Sequence, residues 1–292
     1  MSLEVRELGH ITFYEAVPPN PANNTTYFLL HGIGTSLDFW VAVAPLLGKE
    51  NRTIAIDIPG FGRSSLPKDG PILEAAVRQI SEFTRSLDVN NGILVAHSLG
   101  AFVALRLAAV ERSRFQRLIL VDGTLGRALQ LIKNPRSILC QPALGAIVST
   151  QFLAGTLPLK KNLTSIIGHS SLLRSLTLRP WVDEPGHLDP GIVTAALSNN
   201  GGLGSLRSLA AARQIEYEDL LRGVTQPVDL VWGERDNLIN ASDIEYVASL
   251  VNVDRRMAIP RCGHWPMIEY PIVLAQFISA WNEDGKVEDR NN

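Results

Sequence analysis

The sequence predicts an α/β fold: a mostly parallel β-sheet flanked by helices, with a helical cap inserted after the sixth strand. Three observations carry this expectation. From residue 1 to about 122, short apolar runs alternate with amphipathic ones, the rhythm of βαβ units. The rhythm stops at Gly123 and returns only after Arg213. Finally, "TTYFLLHG" and "RTIAIDIPG" are apolar at consecutive positions, as in parallel strands buried on both faces.

Taken in order, "MSLEVRELGHITFYEAV" alternates and carries charges, which fits a pair of strands holding His10 and not a signal peptide. "TTYFLLHG" and "RTIAIDIPG" are the next two strands. "ILEAAVRQISEFTRSL" has Ile72, Ala76, Ile80, Phe83 and Leu87 at helical spacing. "GILVAHS", "LGAFVALRLAAVER" and "FQRLILVDG" then read strand, helix, strand. Gly123 to Arg213 has no strand pattern, and its short helices are divided by Pro and Gly. "PVDLVWGERD" resumes the strands, followed by a helix around Asp243–Leu250, the strand "RRMAIP" and a last helix from Pro271 to Trp281. Residues 1–122 and 214–283 are thus expected to form the core, 123–213 a cap or lid, and 284–292 a polar tail that frays.

Bulk properties exclude several classes of function. A net charge of −2 gives no field favouring nucleic acid or an anionic membrane. Hydrophobic content of 46% suits a globular protein with a substantial core. The cysteines, Cys140 and Cys262, form no disulfide framework, so a reduced, cytoplasmic setting is expected. Ser137–Leu159 is free of charge, yet Pro142, Gly145, Gly155 and Pro158 interrupt it, so a cap over an apolar pocket is expected there and not a stable membrane span. The partner expected is a small-molecule substrate. No oligomeric state is legible.

The chemistry centres on "AHSLGA", where an apolar strand reverses into an Ala-rich helix. A serine here serves either as a helix cap or as a nucleophile presented on a strained turn. Small neighbours two positions either side, Ala96 and Gly100, meet the steric demand of the second reading. A nucleophilic serine needs a base. Of the six histidines, His264 in "RCGHWP" follows an apolar strand and so shares the carboxyl edge of the sheet with Ser98, where sites in open sheets assemble. His97 is expected to pack as a structural residue. Asp236 in "GERD" lies on the same edge as a carboxylate to orient the base, with Asp122 as its rival. The glycines of "HGIG" allow the Ile33 N–H, together with the Leu99 N–H, to form an oxyanion hole. A dinucleotide loop is disfavoured, because Leu37 stands where G-x-G-x-x-G has its third glycine. Asp57 and Ser64 are expected to brace "DIPGFGRS". No histidine spacing suits a metal, and no cofactor is expected.

A strand ending in HGIG, then DIPGFGRS, AHSLG, GERD and CGHWP, with a helical insertion after the strand ending at Asp122, resembles the α/β-hydrolase superfamily over residues 10 to 283. The resemblance implies Ser98 as nucleophile, His264 as base, Asp236 as acid, and Ile33 and Leu99 as oxyanion donors. Ala96 departs from the family's glycine by one methyl group. Serine in place of aspartate disfavours dehalogenase and epoxide-hydrolase chemistry. The expected activity is that of a serine hydrolase cleaving an ester, thioester or lactone of a mainly apolar small molecule through an acyl-enzyme. Carbon–carbon bond hydrolysis and acyl transfer by the same residues are alternatives, as is a non-catalytic ligand-binding protein. An amidase holding a substrate ammonium is disfavoured, since Asp183, Glu184 and Asp189 are the only acids between Gly123 and Asn200. Trp40 and Trp265 are candidates to line the substrate pocket.

Overall fold

The computed structural model of the chain describes residues 3–123, 126–156 and 159–288. Its eight strands are β1 (Val5–Leu8), β2 (Ile11–Ala16), β3 (Thr26–Leu30), β4 (Arg52–Ile56), β5 (Gly92–His97), β6 (Phe115–Val121), β7 (Val228–Gly233) and β8 (Val253–Ile259). They form one sheet in the order β1-β2-β4-β3-β5-β6-β7-β8. β2 is antiparallel to both its neighbours, and every pairing from β4 to β8 is parallel. β3 and β5 are buried at every position, which is why their sequences carry no alternation. His10 lies in the turn between β1 and β2 and not within a strand.

The strands are joined by α1 (Ala44–Leu47), α2 (Ile72–Ser86) and α3 (Gly100–Val110). Between β6 and β7 come α4 (Gly126–Lys133), α5 (Pro142–Thr156), α6 (Lys161–His169), α7 (Ser171–Leu178), α8 (Pro190–Leu197), α9 (Leu203–Ala212) and α10 (Tyr217–Arg222). The chain ends with α11 (Ala241–Ala248), α12 (Pro266–Glu269) and α13 (Pro271–Glu288). α10 packs on α3, where the Tyr217 ring meets Phe102 edge-on. α13 runs past Trp281 to Glu288, with no proline after Pro271 to interrupt it; 289–292 lie outside the described residues.

Parallel pairing aligns the carboxyl ends of β3, β5, β6, β7 and β8 on one edge. The loops after these strands carry Ile33, Ser98, Asp122, Asp236 and His264. Among the described residues no helix is long and apolar enough to cross a membrane.

Candidate active site

Ser98 sits between β5 and α3 with φ of 50°, the left-handed region that a side chain adopts only under strain. The turn closes because its neighbours are small. A Cβ on Gly100 would stand 2.5 Å from the His31 carbonyl oxygen, and one on Gly32 would stand 3.1 Å from the Ser98 Cβ. The methyl of Ala96 is accommodated inside the sheet without exposure. The Ser98 N–H donates to the Val121 oxygen at 3.1 Å, tying the turn to β6.

His264 reaches this turn from the loop after β8. Its Nε2 lies 3.1 Å from the Ser98 Oγ, and its Nδ1 lies 2.6 Å from the Asp236 Oδ2. All three side chains are buried or nearly so. Asp236 is fixed by its other oxygen, which accepts the Leu238 N–H at 2.7 Å. The loops bearing His264 and Asp236 meet backbone to backbone: the Arg235 N–H donates to the Cys262 oxygen at 2.8 Å, and Gly233 leaves no room for a Cβ against the Gly263 and Cys262 carbonyls.

Asp122, the rival carboxylate, is close but is not the partner of His264. Oxygens of Asp122 and Asp236 and a nitrogen of His264 all lie within 4.8 Å of one another. The Asp122 Oδ1 accepts the Gly233 N–H at 3.1 Å. Burial and the adjacent Asp236 charge push its carboxyl well above the usual range. These atoms are near enough to hold a metal, but both His264 nitrogens already face hydrogen-bond partners.

The loop after β3 brings Ile33 beside the turn. Among the described residues, neither the Ile33 nor the Leu99 N–H donates to a protein acceptor. His31 supports the loop from within: its Nδ1 lies 2.8 Å from the Gly32 oxygen, and its Nε2 accepts the Ile58 N–H at 3.0 Å. Burial pushes its pKa down to about 4, so it is a neutral structural group near pH 7. "DIPGFGRS" is braced as its composition suggests. The Ser64 Oγ donates to the Asp57 oxygen at 2.6 Å, and the Asp57 carboxylate accepts the Leu37 and Arg63 N–H groups at 2.6 and 2.8 Å. Phe61 packs edge-on against His31.

A cavity of about 440 Å³ lies between this loop and the helices that follow β6, lined by Ile33, Phe39, Ile167, Leu178, Trp181 and Trp265 among others. Its lining contains no charged side chain; the polar contributions are those of Thr35, Thr150, Thr177 and Asn200. Trp265 stands in the lining, stacked on Trp181 at 5.8 Å. Trp40 does not: the 3-10 turn Leu37–Trp40 rotates its indole into the core, where it is fully buried. His169 and His187 lie exposed in the helical insertion between β6 and β7. Cys140 is exposed, and the Cys262 thiol is buried with its pKa pushed up by burial.

Two parts of the site had no reading in the sequence. Trp181–Asp183 of the helical insertion contacts the His264 loop directly, through the His264 N–H to the Trp181 oxygen at 2.6 Å. Glu269 joins both segments. Its one sequence signal is a lone acid in the apolar run "HWPMIEYP".

A sequence model for the α/β hydrolase fold matches residues 28–271. The chain is 21% identical over 257 residues to a 2-hydroxy-6-oxo-6-(2'-aminophenyl)hexa-2,4-dienoic acid hydrolase of Metapseudomonas resinovorans, spanning 83% of this chain and 79% of the relative. It is 22% identical over 287 residues to a monoacylglycerol lipase of Rattus norvegicus, spanning 95% and 82%. Among solved structures, an E-2-(acetamidomethylene)succinate hydrolase superposes with a TM-score of 0.68 at 19% identity, covering 96% of this chain and 98% of its own. At that identity the match speaks for the fold.

Proposed function

The chain belongs to the α/β hydrolase fold family, and from that premise we propose that it is a serine hydrolase cleaving a carboxylic ester, thioester or lactone of a mainly apolar small molecule. The observation that carries this reading is the unbroken line from the Ser98 Oγ to the His264 Nε2 at 3.1 Å and from the His264 Nδ1 to the Asp236 Oδ2 at 2.6 Å. Asp236 holds the imidazole with its proton on Nδ1, leaving the Nε2 lone pair for the serine proton. The Ser98 Oγ attacks the substrate carbonyl as His264 takes that proton. The Ile33 and Leu99 N–H groups donate to the oxyanion, a kind of interaction for which each donor typically stabilises the transition state by about 3 kcal/mol. The imidazolium then protonates the leaving alcohol or thiol, and the acyl group stays on Ser98. Water enters, gives its proton to His264 and attacks the ester; collapse returns the proton to Ser98 and releases the acid.

In the same reading, residues 123–213 act as the cap over the acyl site, and Trp265 with Trp181 forms one wall of it. A cavity lined by apolar groups and four uncharged polar ones favours an uncharged chain over a dicarboxylate. The dienoic acid hydrolase among the relatives supports carbon–carbon cleavage as the second reading. Hydrolysis of p-nitrophenyl esters from acetate to long acyl chains, by wild type and Ser98→Ala together, tests the proposal. Turnover by wild type alone supports it. Absence of turnover, with Ser98 still labelled by a phosphonate, favours the second reading, and absence of labelling favours a binding protein.

A further inference from the structure

The half-buried carboxylate of Glu269 lies behind His264 and collects backbone donors from two separate parts of the chain. Its Oε1 accepts the Gly263 N–H at 2.9 Å and the Trp265 N–H at 3.3 Å, the N–H groups of the two residues that flank His264. Its Oε2 accepts the Asp183 N–H at 2.9 Å and faces the Gly263 N–H at 3.1 Å. Asp183 belongs to the cap. The same stretch of cap offers the Trp181 oxygen to the His264 N–H and stacks its indole on Trp265. The Asn237 side chain donates to the Pro180 oxygen at 3.1 Å, and Arg235 pairs with Asp183, which ties in the loop bearing Asp236 as well.

From this we propose that Glu269 is a positioning residue for His264, and that it performs this role jointly with the cap segment Trp181–Asp183. A carboxylate has enough lone pairs to accept three or four N–H groups at once. Bonds to an ionised acceptor are also stronger than neutral ones. The backbone either side of His264 is thereby fixed, and the imidazole is held between the Ser98 Oγ and the Asp236 Oδ2. Because one donor comes from the cap, a displacement of residues 181–183 is transmitted to the His264 backbone. Residues 181–183 are in that sense part of the support of the base, while also forming the wall of the cavity. This inference rests on the reading of Ser98, His264 and Asp236 as the hydrolytic residues.

The test uses the full chain and the variants Glu269→Gln and Glu269→Asp, with the exposed Glu245→Gln as control. Three readouts are taken: kcat and KM on the best p-nitrophenyl ester, the low-field proton resonance of the His264 Nδ1–H, and amide exchange of the peptide containing Trp181–Asp183. Circular dichroism checks folding. The amide of glutamine keeps the size but places an NH2 where the carboxylate accepts N–H groups. The expected result is a folded Glu269→Gln whose kcat falls by about 10²-fold, the loss that a misplaced catalytic group of about 1 Å brings, with little change in KM. Its low-field resonance shifts or broadens and exchange at Trp181–Asp183 accelerates, whereas Glu245→Gln matches wild type. Glu269→Asp, which keeps the charge with shorter reach, recovers part of the kcat. A folded Glu269→Gln with wild-type kcat and resonance overturns the proposal. So does the loss of folding in both Glu269 variants, which makes Glu269 a residue of stability alone. If wild type hydrolyses no ester while the resonance and exchange respond as expected, the reading of the reaction fails and the positioning of His264 by Glu269 stands.

Discussion

His97 holds the backbone of His264: its Nε2 lies 2.9 Å from the His264 carbonyl oxygen. The two rings sit 4.9 Å apart. Burial, reinforced by the neighbouring His264, pushes the His97 pKa well below its ordinary value. The ring is therefore neutral, and its Nε2–H donates to the carbonyl. His97→Phe keeps a ring stacked against Phe39 and removes that donor. The expected outcome is a loss of about 1–3 kcal/mol in urea unfolding, the penalty for an unsatisfied buried acceptor, together with a fall in kcat on p-nitrophenyl esters.

Asp236→Asn and Asp122→Asn separate the two neighbouring carboxylates. An amide at 236 allows the wrong imidazole tautomer, and kcat falls by about 10⁴-fold. An amide at 122 replaces a carboxyl whose charged form burial already disfavours, and kcat stays within about tenfold of wild type, the reach of a 1.4 kcal/mol disturbance. Steady-state kinetics of the pair decides this. A larger loss for Asp122→Asn would exchange their roles.

Gly100→Ala places a methyl 2.5 Å from the His31 oxygen. Because that contact is with backbone, α3 must move away from the loop after β3. The expected destabilisation is about 1–3 kcal/mol, read from the urea midpoint. The same shift separates the Leu99 and Ile33 N–H groups, so kcat/KM falls as well.

Leu197 lines the cavity and is itself nearly buried. Leu197→Trp fills part of the 440 Å³. The acyl chain length preferred in the ester panel moves to shorter chains, while turnover of acetate is retained. An unchanged profile would locate the acyl group elsewhere.

His31 gives the stability a pH dependence of definite sign. Its pKa lies at about 4 in the folded protein against an ordinary value of 6.5. The unfolded chain therefore binds more protons between those values, and the contribution of His31, complete above pH 6.5, is lost as pH falls through about 4. The shift corresponds to about 3 kcal/mol at most. Asp57, raised to about 6 by burial, acts with the opposite sign: its contribution is present below its ordinary value and lost as pH rises through about 6. Comparing urea midpoints of wild type and His31→Gln from pH 7 to 4 isolates the His31 slope, which is absent in the variant.

The continuous apolar runs of β3 and β5 made the sheet legible, because burial on both faces leaves no polar alternation to confuse with a surface strand. Ser98, His264 and Asp236 were legible because each follows such a strand, and parallel pairing gathers the strand ends. Trp40 was not. Its direction depends on the 3-10 turn started by Ser36, which local composition does not reveal. Glu269 was hidden for a different reason: its partners are peptide N–H groups, one of them far away at Asp183, and backbone donors leave no side-chain signature. Residues 123–213 were legible only as helical, since α7 leaves Leu172 and Leu176 exposed against the usual burial of leucine.

The contacts of the helical insertion bear on how the enzyme can be rebuilt. Residues 181–183 touch the His264 loop, the Gly201 N–H donates to the Gly34 oxygen at 3.0 Å, and Gly204 rests against the Gly60 backbone. A chimera that exchanges everything from 123 to 213 for another lid would remove these attachments along with the pocket wall. Grafts confined to α4–α7 and to the segment from 184 to about 197 would keep the native struts at 180–183 and 198–204. Such grafts are the exchanges suited to altering the cavity while leaving Ser98, His264 and Asp236 aligned.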